Sequence, residues 1–68
     1  MMIELRINGE LKTCAIGSSL HDLLTQLGMN PQLVAVEYNG EILARSRWTE
    51  TILQAEDCLE VVTIVGGG

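Results

Sequence analysis

The group in this 68-residue chain best suited to chemistry is at its very end. Gly66-Gly67-Gly68 follow a β-branched run, Val61-Val62-Thr63-Ile64-Val65. Glycine has no Cβ, so such a tail fits a narrow channel and can be read through its amides. Ordering each residue costs about 1–2 kcal/mol, which keeps an encounter of this kind reversible. The reacting group would be the Gly68 carboxylate, with Gly66 and Gly67 as the part of the tail that lies in a partner's channel. A carboxylate is a poor electrophile because its leaving group would be oxide. Activation calls for an acyl-adenylate, made by a partner that holds ATP and Mg²⁺. The chain itself has no glycine-rich phosphate loop followed by Lys between a strand and a helix, and no acidic cluster suited to Mg²⁺. On this reading it is a substrate and carrier, not an enzyme, and binds no cofactor of its own. The competing reading is a frayed end that does no chemistry.

Other reactive side chains are sparse. His21 precedes Asp22, and Cys14 could in principle pair with His21 as a nucleophile. His21 falls on the polar side of a helical stripe and Cys14 on a strand, so the sequence favours a solvated His and a small buried Cys. One His and two separated Cys give no chelating pair, and no metal site is expected. Cys58 adjoins the last strand on the side of Glu60, which would expose it, though filler is the simpler role. Arg45 and Trp48 are expected to fix an irregular segment, Trp48 covering one edge of the core and Arg45 pairing with an acid. With Val65 they are also the candidates for docking an activating enzyme.

Size and charge bound the options. A chain this short buries about 60% of the surface its unfolded form exposes, so a deep, walled active site is not expected. The net charge of −5 argues against nucleic acid or an anionic membrane as partner. The four basic residues, Arg6, Lys12, Arg45 and Arg47, all precede Trp48, while Glu50, Glu56, Asp57 and Glu60 follow it. An acidic C-terminal third suits docking onto a basic protein surface, or simply a solvated face. Neither a signal peptide nor an apolar run near the roughly 20 residues of a membrane span is evident. A cytoplasmic protein with reduced cysteines is therefore expected.

The elements that must present the tail follow from periodicity. Ile3, Leu5 and Ile7 alternate with charged residues as a half-buried strand, and Asn8-Gly9 marks a turn. Leu11, Thr13 and Ala15 continue the alternation on a second strand. A two-residue turn would set Glu10 opposite Ile7 and Lys12 opposite Leu5. A longer loop or bulge would set Leu11 opposite Ile7 and keep charge out of the core, and the hydrophobic pattern favours that register. Leu20, Leu23, Leu24 and Leu27 form one apolar stripe of a helix of about ten residues, capped by Ser18 or Ser19 and ended by Gly28 and Pro31. Leu33 to Tyr38 reads as a strand covered on much of both faces. Asn39-Gly40 turns into a short strand, Glu41-Ile42-Leu43. An irregular or 3₁₀ turn surrounds Trp48, and Leu59 to Val65 is a β-branched, central strand. One amphipathic helix after a hairpin must cover one sheet face, which predicts a two-layer α+β domain. The layout is that of a ubiquitin-like β-grasp, with a mixed sheet of about five strands over residues 1–65 and a tail at 66–68.

Four ordered segments carry a more specific signal. Val34-Ala35-Val36-Glu37-Tyr38-Asn39-Gly40-Glu41-Ile42, Arg45-x-x-Trp48, Asp57-x-x-Glu60-Val61-Val62 and Val65-Gly66-Gly67-Gly68 resemble the ThiS family, the sulfur carriers of thiazole formation in thiamine biosynthesis. The resemblance covers essentially the whole chain. It implies that a ThiF-like adenylyltransferase adenylates the position matched by Gly68. Sulfur then replaces one oxygen to give a thiocarboxylate, and a ThiG-like thiazole synthase uses it as sulfur donor. The family usually has Gly-Asp before the last strand, where this chain has Glu56-Asp57. If that turn needs a left-handed residue, Glu56 is strained. The alternatives are a small subunit of molybdopterin synthase, a ubiquitin-like protein modifier and, from another class, a plain interaction module.

Overall fold

A computed structural model describes residues 1–64. Five strands form one sheet: β1 (Met2–Ile7), β2 (Glu10–Ala15), β3 (Val34–Tyr38), β4 (Glu41–Ile42) and β5 (Cys58–Thr63). Their order is β2-β1-β5-β3-β4, with β5 parallel to β1 and every other pairing antiparallel. The last strand in sequence is thus the middle strand in space, as its β-branched run predicts. The helix α1 (Leu20–Gln26) covers one face. Leu5, Ile7, Cys14, Leu20, Leu23, Leu24, Val36, Trp48, Leu53 and Leu59 lie between them as a single core.

Helix α1 is seven residues long, shorter than the leucine stripe suggests. Ser19 and Asp22 form a reciprocal capping box, the Asp22 N–H donating to Ser19 Oγ at 3.0 Å and the Ser19 N–H to Asp22 Oδ2 at 3.2 Å. At the other end Gly28 adopts φ +79°. Its N–H donates to the Thr25 carbonyl and that of Met29 to the Leu24 carbonyl, so the last turn closes as a Schellman motif. Leu27, the last member of the stripe, becomes the C-cap and is 36% exposed.

The β1–β2 register corrects the expectation from hydrophobic alternation. Ile7 pairs with Glu10 and Leu5 with Lys12, around a two-residue turn with φ +52° at Asn8 and +83° at Gly9. Positive φ at both central residues matches the twist of a tight hairpin, so turn chemistry prevails over side-chain pattern here. Lys12 does share a face with Leu5. The strand is at the sheet edge, however, where a long stem covers apolar surface while its ammonium reaches Glu10 at 3.5 Å. Leu11 is accordingly on the opposite face and 55% exposed.

Strand β3 is also not covered on both faces. Val34 and Val36 are buried, while Glu37 is exposed and Leu33 belongs to a preceding 3₁₀ turn, Pro31–Leu33. A single helix supplies only one covering layer, so the other face of the sheet is open. Among the described residues no helix is long and apolar enough to cross a membrane.

Candidate functional site

The residues that would carry the chemistry, Gly66, Gly67 and Gly68, and the docking candidate Val65 lie outside the described residues. The described fold shows where the chain that leads to them leaves the domain. Strand β5 ends at Thr63, and the Ile64 N–H donates to the Leu33 carbonyl at 2.7 Å. The tail therefore continues from the central strand of the sheet, which is anchored on both sides.

Two asparagines provide much of that anchoring. Both Asn-Gly turns adopt positive φ at each central residue, with +50° at Asn39 and +88° at Gly40 in the second. Asparagine tolerates that backbone and still has a carboxamide to spend. Asn8 Oδ1 accepts from the Val61 N–H at 2.7 Å and its Nδ2 donates to the Val61 carbonyl at 3.1 Å. Asn39 Oδ1 accepts from the Cys58 N–H at 2.8 Å, and its Nδ2 donates to Asp57 at 3.1 Å. Sequence reading gave these residues turn roles only. Pairing across 53 residues leaves no local signal.

The turn before β5 is built around a buried carboxylate. Asp57 accepts from the Tyr38 hydroxyl, the Asn39 amide and the Gln54 N–H. Burial, and then this bond to a carboxylate, push the Tyr38 hydroxyl up to about 12. To aim Asp57 inward, Glu56 adopts φ +71°, so the left-handed residue that the Glu56-Asp57 sequence put in question is present. The Glu56 N–H donates to the Glu4 carbonyl at 2.8 Å and the Arg6 N–H to the Asp57 carbonyl at 2.9 Å, which ties the turn to β1.

The other docking candidates separate. Trp48 is 1% exposed and donates its indole N–H to the Leu43 carbonyl at 3.0 Å, so it belongs to the core and has no surface to offer. Among the described residues Arg45 pairs with no acid. Its guanidinium donates to the carbonyls of Pro31 at 2.8 Å and Val34 at 3.1 Å, and lies 5.4 Å from the Trp48 ring centre. The reason is local: those carbonyls lead into β3 and have no strand beside them, and a guanidinium supplies several donors at once. Arg47 makes the acid pair instead, with Glu50 at 2.6 Å.

Cys14 is fully buried, and burial pushes its thiol up from the usual range. It offers no nucleophile to solvent. Cys58 is exposed and so is not buried filler; its place on the side of Glu60 in the strand alternation accounts for this. Among the described residues no three His, Cys, Asp or Glu are grouped to hold a metal ion.

The open face of the sheet went unremarked in the sequence. Ala35 pairs with Val62 and Glu37 with Glu60 across β3 and β5, and Ile42 pairs with Glu37 from β4. Val62 is 60% and Ile42 78% exposed. An apolar strip with two acids set directly opposite each other therefore runs along the strand that leads to the tail. Among the described residues neither Glu37 nor Glu60 meets a basic group.

The model of the ThiS family matches residues 5–68. A Pyropia yezoensis protein designated ycf40 is 46% identical over 66 residues, covering 97% of this chain and 93% of its own. The Bacillus subtilis sulfur carrier protein ThiS is 35% identical over 65 residues, covering 94% and 98%. A thiazole synthase from Magnetococcus marinus is 38% identical over 66 residues; these span 97% of this chain but 20% of that protein. In three dimensions the crystal structure of the thiamine biosynthesis protein ThiS from Geobacter metallireducens superposes with a TM-score of 0.83 at 32% identity, over 97% of this chain and all of that one. The mixed five-stranded sheet under one helix is thus the ubiquitin-like β-grasp. With a match that runs from β1 through the terminal glycines, the chain belongs to the ThiS family.

Proposed function

We propose that the protein is the sulfur carrier of thiazole formation in thiamine biosynthesis, with the Gly68 carboxylate as its working group. What supports the reading is the reach of the family match, which extends through residue 68 and so includes the Gly-Gly-Gly end. A ThiF-like adenylyltransferase would use ATP and Mg²⁺ to join AMP to the Gly68 carboxylate, releasing pyrophosphate. A sulfur donor at the sulfide level then displaces AMP, and the carboxylate becomes a thiocarboxylate. A ThiG-like thiazole synthase takes the sulfur, and water returns the carboxylate. The likeness to one segment of thiazole synthase proteins favours that recipient. In this scheme the domain catalyses nothing. It positions the start of the tail on its central strand, and its open face offers Val62, Ile42 and the two opposed acids to an activating enzyme.

Intact-mass spectrometry tests the proposal directly. Incubation with a ThiF-family enzyme, ATP, Mg²⁺ and a sulfur source should make the protein heavier by the difference between sulfur and oxygen, and deletion of Gly68 should abolish the change. Addition of thiazole synthase with its substrates should restore the original mass. A thiocarboxylate that only a molybdopterin precursor discharges would assign the chain to the other carrier class. An unchanged mass with a competent enzyme would leave an interaction module.

A further inference from the structure

Strand β1 accompanies β5 for only two residues, Arg6 beside Cys58 and Ile7 beside Leu59. Beyond them Asn8 takes over. Its N–H donates to the Leu59 carbonyl at 2.8 Å, and its carboxamide satisfies both backbone groups of Val61. The chain then turns away at Gly9. A lane beside β5 is left without a strand past Val61.

The residue that faces this lane is Thr63. Backbone groups alternate sides along a strand. Those of Cys58 and Ile64 point toward β3, meeting Asn39 and Leu33. Those of Leu59 and Val61 point the other way, toward Asn8. Thr63 pairs with Val34 across β3 in a position that directs its N–H and C=O away from β3. Among the described residues the β1–β5 ladder supplies no partner for them. Alongside lies a groove of about 280 Å³, apolar at Met29, Leu33, Val34 and Val61, with Asn8 and Thr63 also in its lining.

We propose that an extended segment of the adenylating partner adds as a strand in this lane, bonding the Thr63 N–H and C=O and placing one apolar side chain in the groove. The inference rests on the carrier reading above. Two observations select this occupant. An edge donor and acceptor directed as in a ladder recognise another extended backbone, and the Asn8 carboxamide already occupies such a position one step earlier. In addition, Gly68 is five residues beyond Thr63, at most about 18 Å of extended chain. An enzyme that holds the Gly68 carboxylate must therefore pass close to the lane, whereas a helix laid there would present no backbone groups to Thr63.

The test uses the whole protein, ¹⁵N-labelled, with an unlabelled ThiF-family enzyme and no ATP. Exchange of the Thr63 amide should slow at least tenfold in the complex, with Val61, already bonded to Asn8, changing little. In parallel, Thr63→Pro removes that N–H without breaking the β3 ladder, and should lower kcat/KM for loading about tenfold. Thr63→Val, which keeps the N–H, should lose less of the loading rate than Thr63→Pro. A complex in which Thr63 exchange is unchanged, or normal loading of folded Thr63→Pro, would overturn the edge proposal while the carrier reading stood. Protection of Thr63 that rises with carrier concentration alone would give the lane to a second copy, and would equally overturn it. If the wild-type mass never changes, the carrier reading itself fails and the edge proposal with it.

Discussion

Asp57 is one of two buried polar residues among those described, and its carboxylate closes the turn before β5. The residue is 7% exposed and its carboxylate gathers donors from Tyr38, Asn39 and Gln54, so the end of β3 and the turn before β5 converge on one side chain. A buried carboxylate is tolerable only with such a set of donors. The consequence for pH falls on Tyr38, whose hydroxyl is pushed up to about 12 from an ordinary 10. The folded state then holds a proton that the unfolded chain gives up first. Tyr38 therefore contributes its full stability below about pH 10, and this is lost as pH rises through 12. Urea midpoints at pH 9 and 11 should show a larger alkaline drop for the native protein than for Tyr38→Phe; equal drops would mean the hydroxyl titrates normally. Glu56 is the cost of aiming Asp57 inward. A non-glycine residue at φ +71° is strained by about 1–2 kcal/mol, part of which glycine would return as unfolded-chain entropy. Glu56→Gly should accordingly stabilise the protein by about 0.5–1 kcal/mol in urea titration, and a loss would show that the Glu56 side chain makes a compensating contact.

At the scale of elements, the β1–β2 hairpin decides between two kinds of local information. Leu11 looks like a core residue by alternation, yet it is on the open face opposite Arg6. Leu11→Thr should change stability by no more than about 0.5 kcal/mol, whereas Leu5→Ala should cost about 2–5 kcal/mol. Comparable losses at the two sites, measured by urea unfolding, would mean the bulged register is the true one. The helix, a serine cap at Ser18 or Ser19 and the Gly28 terminus were legible because caps and stripes are local. So was the central place of β5, from its β-branched residues. The register was misjudged because an edge lysine can lie beside the core without burying its charge. The shared face of β3 was misjudged because an apolar run does not reveal how many layers will cover it. Arg45 needed tertiary structure too, since backbone carbonyls compete with acids for a guanidinium and leave no mark in the sequence. The likeness to one family was readable too, because four ordered segments carry it along the chain. What the sequence concealed was the apparatus behind the tail: the Asn8 and Asn39 clamps on β5, and the pairing of Glu37 with Glu60.

That last pair links stability to association over the whole molecule. Glutamates directly opposite on neighbouring strands repel, and such a pair costs a fraction of a kcal/mol. Here it sits on an open face beside exposed Val62 and Ile42, in a chain of net charge −5. Repulsion of this kind is relieved when a basic partner approaches, so the same two side chains that weaken the free domain should strengthen its encounter with a basic surface. The double variant Glu37→Gln/Glu60→Gln should therefore move two measurements in opposite directions. Its unfolding midpoint should rise slightly, by about 0.2–1 kcal/mol in free energy. Its kcat/KM for loading by the adenylating enzyme should fall severalfold at low salt. Raising salt from about 50 to 300 mM should slow the native protein more than the variant, because screening removes an attraction the variant has already lost. Identical salt dependence in the two proteins would place the electrostatic contact elsewhere on the molecule. A variant that is both less stable and slower would show that the two carboxylates serve the fold and not the encounter.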